Sequence, residues 1–182
     1  CDCVKLEDNF NRADSNSLGT NWTELEALVS DLQIASNKLV ADDNAGSDEA
    51  FAYWNTDLSG SHYSQLTFVS DIAGLIKPQS GPAVRIPTSA TRDAFSGYIA
   101  LCDPEGQTID LKKYVLQSLS TVGTTLDIVT SVLFSATNVF RINANGTTIS
   151  VQKNDVTLIS VVDTELSGGR PGIVVKEGYT IG

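Results

Sequence analysis

The sequence predicts a single all-β domain spanning residues 1–182, an antiparallel two-sheet β-sandwich of the jelly-roll kind. Three observations predict it. Apolar and polar residues alternate with period two over short segments, the pattern of a strand with one buried face. About a dozen such segments recur at roughly 8–12-residue spacing, bounded by turn residues. Helical periodicity is nearly absent.

In chain order, residues 23–32 carry the only helical character, around Glu24, Leu25, Glu26 and Leu28, and predict one helical turn. Leu32-Gln33-Ile34 and Leu39-Val40-Ala41 flank Asn37-Lys38 as a hairpin. Phe51-Ala52-Tyr53-Trp54 is a short aromatic strand, and His62–Ile72 is a strand with Leu66 and Phe68 on one face. Ala83–Ile86 closes at Pro87, and Tyr98–Cys102 closes at Asp103-Pro104-Glu105-Gly106. Thr108–Val115 and Leu126–Val132 follow as strands. The clearest signal lies between Thr137 and Val162, a meander whose turns are Asn145-Gly146 and Asn154-Asp155. Gly168-Gly169-Arg170-Pro171-Gly172 reads as a rigid turn before a last strand, Ile173–Lys176.

Bulk properties bound the function. A net charge of −10 and the absence of a basic cluster beyond Lys112-Lys113 exclude a nucleic-acid partner. No segment approaches the length of a membrane span. The chain contains no methionine, which suggests a processed product or a piece of a longer protein. Cys1 then fits either a lipidated first residue or an arbitrary start. The three cysteines are Cys1, Cys3 and Cys102; a bridge from either of the first two to Cys102 would close a loop of about a hundred residues and contribute several kcal/mol.

The opening Asp8-Asn9-Phe10-Asn11-Arg12-Ala13-Asp14, followed by Leu18-Gly19-Thr20-Asn21-Trp22, resembles the start of many concanavalin-A-like lectin/glucanase domains of the LamG-like jelly-roll type. The hairpin from Ile34 to Val40, the aromatic strand at Phe51–Trp54, the Asn145-Gly146 meander and the turn from Ser167 to Ile173 are similar in order, so the likeness covers nearly the whole chain. It implies a concanavalin-A-like jelly roll. It implies function more weakly, because such domains serve in secreted bacterial proteins, beside polysaccharide-handling enzymes and in bacteriophage virions. Relatives usually continue past the Arg-Pro-Gly turn into a closing strand. Here the chain stops at Gly182, and the expectation is a short or missing last strand whose open edge invites strand exchange.

Chemistry-bearing motifs are few. Laminarinase-type glycoside hydrolases of this fold carry Glu-x-Asp-x-x-Glu on one strand face, and no Glu in this chain begins that pattern. The single histidine, His62, lacks a nucleophile-elbow motif to serve. Oxygen-rich loops suit calcium, which takes six to eight oxygen ligands. Asp42, Asn44 and Asp48, with Asp43 and Glu49, form one such group. Asp8, with Asn9 and Asp14, forms a second near the first strand, where the resemblance implies a structural Ca2+ site; solvated turns are the alternative for both.

Sugar recognition pairs an aromatic platform with polar groups. Along Phe51–Trp54, Tyr53 and Trp54 point to opposite faces, so one of them should face outward, with Arg85 and Tyr98 as neighbours on the concave sheet. The expected ligand-binding set is therefore Tyr53, Trp54, Arg85 and Tyr98, with Trp22 assigned to the core. Asn21 and Asn145 head N-glycosylation sequons.

The expected function is a non-catalytic surface domain, extracellular, at the cell surface or in a virion, whose partners are a glycan or neighbouring subunits of a homo-oligomer or larger assembly. The alternatives are a glycoside hydrolase with unrecognised carboxylates and a structural subunit polymerising through open sheet edges.

Overall fold

The computed structural model describes residues 7–25, 32–41, 49–58, 60–68, 80–119, 121–176 and 180–181. Cys1, Cys3, Asp42, Asn44 and Asp48 lie outside the described residues. The described strands are β1 (Trp22–Leu25), β2 (Leu32–Ala35), β3 (Lys38–Ala41), β4 (Glu49–Trp54), β5 (His62–Thr67), β6 (Gly81–Ile86) and β7 (Phe95–Asp103). They continue with β8 (Thr108–Gln117), β9 (Thr124–Val129), β10 (Val139–Asn145), β11 (Thr148–Lys153), β12 (Val156–Val162), β13 (Arg170–Lys176) and β14 (Thr180–Ile181). Among the described residues there is no helix.

The strands form a seven-stranded sheet, β1-β4-β13-β6-β7-β8-β9, a four-stranded sheet, β12-β11-β10-β5, and a three-stranded sheet, β14-β3-β2. Every strand pairing is antiparallel. The two smaller sheets lie together over one face of the large one. Ile34, Leu39, Phe68, Phe140, Ile142, Ile149 and Val151 meet Ala52, Val84, Tyr98, Ala100, Ile109 and Val175 in one buried core. Alternation along each strand makes this possible, because every second side chain of β10 and β11 points to the same side.

A second apolar cluster occupies the opposite face of the seven-stranded sheet. Phe51, Tyr53, Ile99, Leu101, Tyr114 and Val174 are joined there by Ala90 and Leu119 from loops. Those loops are tied by the Leu119 N–H donating to the Arg92 carbonyl at 2.8 Å. Phe95 packs edge-on against Phe51 at 4.7 Å and Tyr114 at 5.7 Å between ring centroids. Both faces of the large sheet are therefore apolar, which is why β6 and β7 are buried along nearly their whole length.

Several local expectations shift. The helical turn at 23–32 is overridden where the chain is described, since Trp22–Leu25 pairs residue by residue with Phe51–Trp54. The first hairpin turns at Ser36-Asn37, one residue early, with φ of 52° and 61°. The Asn145-Gly146 turn is likewise displaced: Asn145 pairs with Thr148, and Gly146 at φ 56° leads a Gly146-Thr147 loop. A first central residue at positive φ followed by an ordinary one suits a Gly-X hairpin better than an Asn-Gly one. Asn154-Asp155 turns where expected, both residues at positive φ. The strand after the Gly168-Gly169 pair begins already at Arg170. It is no open edge, because β13 lies between β4 and β6, and β14 pairs with β3.

Candidate functional site

The opening motif is a folding device. The Asp8 carboxylate accepts from the Phe10 N–H at 2.8 Å, from Arg12 Nη1 at 2.6 Å and from the Trp22 indole N–H at 2.9 Å. Arg12 Nη2 donates to the Leu18 carbonyl at 2.8 Å, and Phe10 and Leu18 are buried. Burial works to raise the Asp8 pKa, but the hydrogen bonds and the Arg12 guanidinium outweigh it and hold the carboxyl below its ordinary value. Both oxygens are engaged and a cation already stands beside them, so Asp8 does not fit a calcium ligand. Asp14 accepts from the Ser36 N–H at 2.8 Å. Among the described residues no cluster of three or more His, Cys, Asp or Glu converges as around a metal ion.

Cys102 is a free thiol buried in the inter-sheet core, and burial pushes its pKa up. It packs there as a small apolar side chain rather than as half of a bridge.

The four expected ligand-binding residues are all buried. Tyr53 joins the outer apolar cluster, with Arg170 over its ring at 5.4 Å. Trp54 stacks edge-on against Trp22 at 4.9 Å, on the opposite side of β4. The alternation was read correctly, but each face of β4 is covered, so neither ring is a platform. Arg85 and Tyr98 do come together, at 6.0 Å from guanidinium to ring centroid, inside the sandwich.

That pair anchors a polar network at one end of the molecule. Arg85, at φ 61°, donates from Nη1 to the Leu166 carbonyl and from Nη2 to the Gly146 carbonyl, and its N–H donates to His62 Nε2 at 3.2 Å. Burial is the main cause that holds the His62 pKa below its ordinary value, and the Arg85 cation adds to it. Tyr98 Oη donates to Asp163 Oδ1 at 2.6 Å. Lys113 Nζ sits 2.6 Å from Asp163 and 2.7 Å from Glu165. Ser64 Oγ donates to the Gly172 carbonyl at 2.7 Å. These contacts tie the four-stranded sheet and the segment after β12 to the seven-stranded sheet. The carboxylates Asp163 and Glu165 both serve Lys113, and Asp163 is held below its ordinary pKa by Lys113 and Tyr98 against the effect of burial. Neither is arranged as a proton donor for glycosidic cleavage.

The exposed chemistry lies elsewhere, on the outer face of the four-stranded sheet. Register places Gln65, Arg141, Gln152 and Thr157 in one row across β5, β10, β11 and β12. Tyr63, Asn143, Ser150 and Ser160 form the next row, and Asn145, Thr148 and Val162 a third. Arg141 donates to Gln65 Oε1 at 2.8 Å from Nε and 2.6 Å from Nη2, and stands 5.0 Å from the centroid of the Tyr63 ring. Tyr63 is 45% exposed. Asn143 Nδ2 donates to Ser150 Oγ at 3.4 Å and Gln152 Nε2 to Thr157 Oγ1 at 3.2 Å. The rows contain no carboxylate; Asp155, in the adjoining turn, pairs with Arg141 at 3.0 Å. The alternation that sends Phe140, Ile142 and Ala144 inward sends Arg141 and Asn143 outward, so this face was readable in the meander. What the sequence hid was that β5 joins it. The two sequons sit apart: Asn145 is exposed at the end of β10 with its Oδ1 accepting from Ser61 Oγ at 2.8 Å, and Asn21 is exposed just before β1.

No family model matches the chain, and no curated protein matches it in sequence. Solved structures do match. The carbohydrate-binding module CBM66 from Bacillus subtilis aligns with a TM-score of 0.62 at 15% identity, covering 89% of this chain and 91% of its own. A legume lectin-like domain from Entamoeba histolytica gives a TM-score of 0.62 at 12% identity, covering 88% and 86% respectively. The exoplasmic/lumenal domain of VIP36, in a Ca2+/mannose-bound form, gives 0.60 at 13%, covering 88% and 80%. The fold is a lectin-like jelly roll. At such identities the likeness carries the architecture, and the site must be argued from this chain's own residues.

Proposed function

We propose that this chain is a non-catalytic glycan-binding module whose ligand lies on the outer face of the four-stranded sheet, acting outside the cell or on a virion surface. One observation carries the reading. In a chain of net charge −10, this face presents rows of amides, hydroxyls and a guanidinium around one exposed tyrosine, with no carboxylate among them. Amides and hydroxyls both donate and accept, which suits the hydroxyls of a sugar. Tyr63, held by Arg141, offers an aromatic edge and face to the apolar side of a pyranose. The outer face of the seven-stranded sheet is filled by Phe51, Tyr53, Ile99 and Leu101 and offers no comparable array. The carbohydrate-binding names among the structural neighbours support the same reading.

A glycan array followed by titration of the best ligand tests it. Tyr63→Ala and Asn143→Ala should each weaken binding by about tenfold, or about 1.4 kcal/mol. Tyr53→Phe, on the far side of the molecule, should leave affinity unchanged. Binding that survives both face variants, or no binding to any glycan, sinks the proposal.

A further inference from the structure

The geometry points to Asn145 as a site of spontaneous deamidation, with the Ser61 hydroxyl as the group that assists it. Among the asparagines of the chain, Asn145 alone precedes a glycine. The reaction begins as a ring closure. The main-chain nitrogen of Gly146 gives up its proton to solvent hydroxide and attacks Cγ of the Asn145 amide. The N–Cγ bond forms, the Cγ–Nδ2 bond breaks, and Nδ2 leaves as ammonia after taking a proton from water. Water then opens the resulting succinimide at either carbonyl. One opening yields aspartate, and the other yields isoaspartate, which has one extra methylene in the main chain. No oxidant or reductant is consumed.

Three features of the turn favour closure. A side chain on the following residue would hinder the approach, and glycine has none; the space that a Cβ on Gly146 would enter is open, with no atom within 4 Å. The attacking nitrogen sits in the corner of the hairpin, beyond the ladder that ends at the Asn145–Thr148 pair. Its N–H donates to no group among the described residues. Ser61 Oγ donates to Asn145 Oδ1 at 2.8 Å. That oxygen gains negative charge as the nitrogen attacks, and a donor already aimed at it stabilises the charge. Asn145 and Ser61 are both exposed, so water and hydroxide reach the amide. One restraint opposes closure, because Arg85 Nη2 donates to the Gly146 carbonyl and the Asn145–Gly146 peptide must turn against that contact. The same contact couples the product to the interior, since isoaspartate lengthens the chain beside the carbonyl that Arg85 holds. Either product places a carboxylate at the end of β10, on a face whose rows carry none. The effect on a glycan rests on the binding reading, whereas the deamidation itself does not.

Incubation of the full chain at mildly alkaline pH, followed by charge-variant chromatography and peptide mass mapping, tests the assignment without any ligand. A more acidic form should accumulate, with the change confined first to the peptide holding Asn145. Asn143, on the same strand but followed by Ala144, should stay intact over that time. Ser61→Ala, with unchanged circular dichroism, should slow the conversion about fivefold, the rate equivalent of one net hydrogen bond. Asn145→Gln, whose longer side chain closes a larger ring more slowly, should abolish the early acidic form. An Asn145 that stays intact in the folded chain, or a rate that Ser61→Ala leaves unchanged or raises, overturns the inference.

Discussion

Tyr98→Phe separates a structural role for this residue from the ligand-binding role its sequence context suggested. The ring is fully buried between the sheets, and its hydroxyl donates to Asp163 Oδ1 at 2.6 Å. Phenylalanine keeps the ring and removes that donor, together with the acceptor of a longer, 3.4 Å hydrogen bond from the Leu166 N–H. A hydrogen bond to a charged group contributes about 1.5–3 kcal/mol. Asp163 retains Lys113 and the Glu165 N–H, so no buried acceptor is left wholly unpaired and the low end applies. For a domain of this size about 2–4 °C is lost per kcal/mol, so a fall of about 3–6 °C in melting temperature is expected at neutral pH for a loss of about 1.5 kcal/mol. The effect must also depend on pH. Asp163 has a folded pKa depressed below its ordinary value, so its stabilising contribution is present above the ordinary carboxylate range and is lost as pH falls through the folded pKa. The gap between wild type and Tyr98→Phe should therefore narrow in acid. At the alkaline end, burial and Asp163 push the Tyr98 pKa up to about 12. A raised folded pKa contributes stability that is present below the unfolded value and lost as pH rises through the folded one; Lys113, raised by Asp163 and Glu165, acts this way in both proteins, so wild type should lose more stability between about pH 10 and 12 than the phenylalanine variant. Urea unfolding across pH measures all three effects. A variant as stable as wild type at neutral pH, within about 0.5 kcal/mol, would refute the structural assignment.

Three other outcomes follow from the structure. Phe140→Ala removes a fully buried ring that sits 5.6 Å from Phe68 and 5.1 Å from Phe134, and should cost about 3–5 kcal/mol by urea denaturation; a loss under about 1 kcal/mol would mean that the inter-sheet core is not centred there. Asp8→Asn should destabilise at neutral pH and lose its effect in acid, since the depressed Asp8 pKa places its contribution above the ordinary carboxylate range. The melting temperature of the wild type should not respond to calcium through this residue, and a calcium-dependent shift abolished by Asp8→Asn would contradict the saturated geometry.

The strands were legible because period-two alternation is a local property. Phe140, Ile142 and Ala144 had to face one way and Arg141 and Asn143 the other, whatever lay above or below. Turn positions were less secure. Ser36-Asn37 and Gly146-Thr147 each missed the expected pair by one residue, because cross-strand register, set by the whole hairpin, decides which residues occupy the corner. The helical turn at Thr23-Glu24-Leu25 failed for a similar reason: pairing with Tyr53, Ala52 and Phe51 overrode a weak local preference.

The four expected ligand-binding residues are buried for a different reason. Opposite faces for Tyr53 and Trp54 were correctly inferred, and one of them would be exposed if the large sheet had one wet face. It has none. Loops carrying Ala90 and Leu119 add a second apolar layer, and loop packing leaves no periodic trace in sequence. Arg85 was expected beside Tyr98 on an open concave sheet, although charged side chains are seldom buried. Its burial among the Leu166 and Gly146 carbonyls depends on two segments far along the chain.

The sequence by itself determined that this chain is an antiparallel sandwich, that it is acidic with a net charge of −10, and that Asp8 to Trp22 carries its opening motif. Each follows from composition or from interactions short enough to be written in a motif. Only the tertiary structure decided which faces are covered, that Asp8 accepts from Arg12 and Trp22, and that Tyr63 and Gln65 stand beside Arg141 and Asn143. Those outcomes depend on which strands become neighbours, and β5 and β10 meet across more than seventy residues of chain that no local pattern spans.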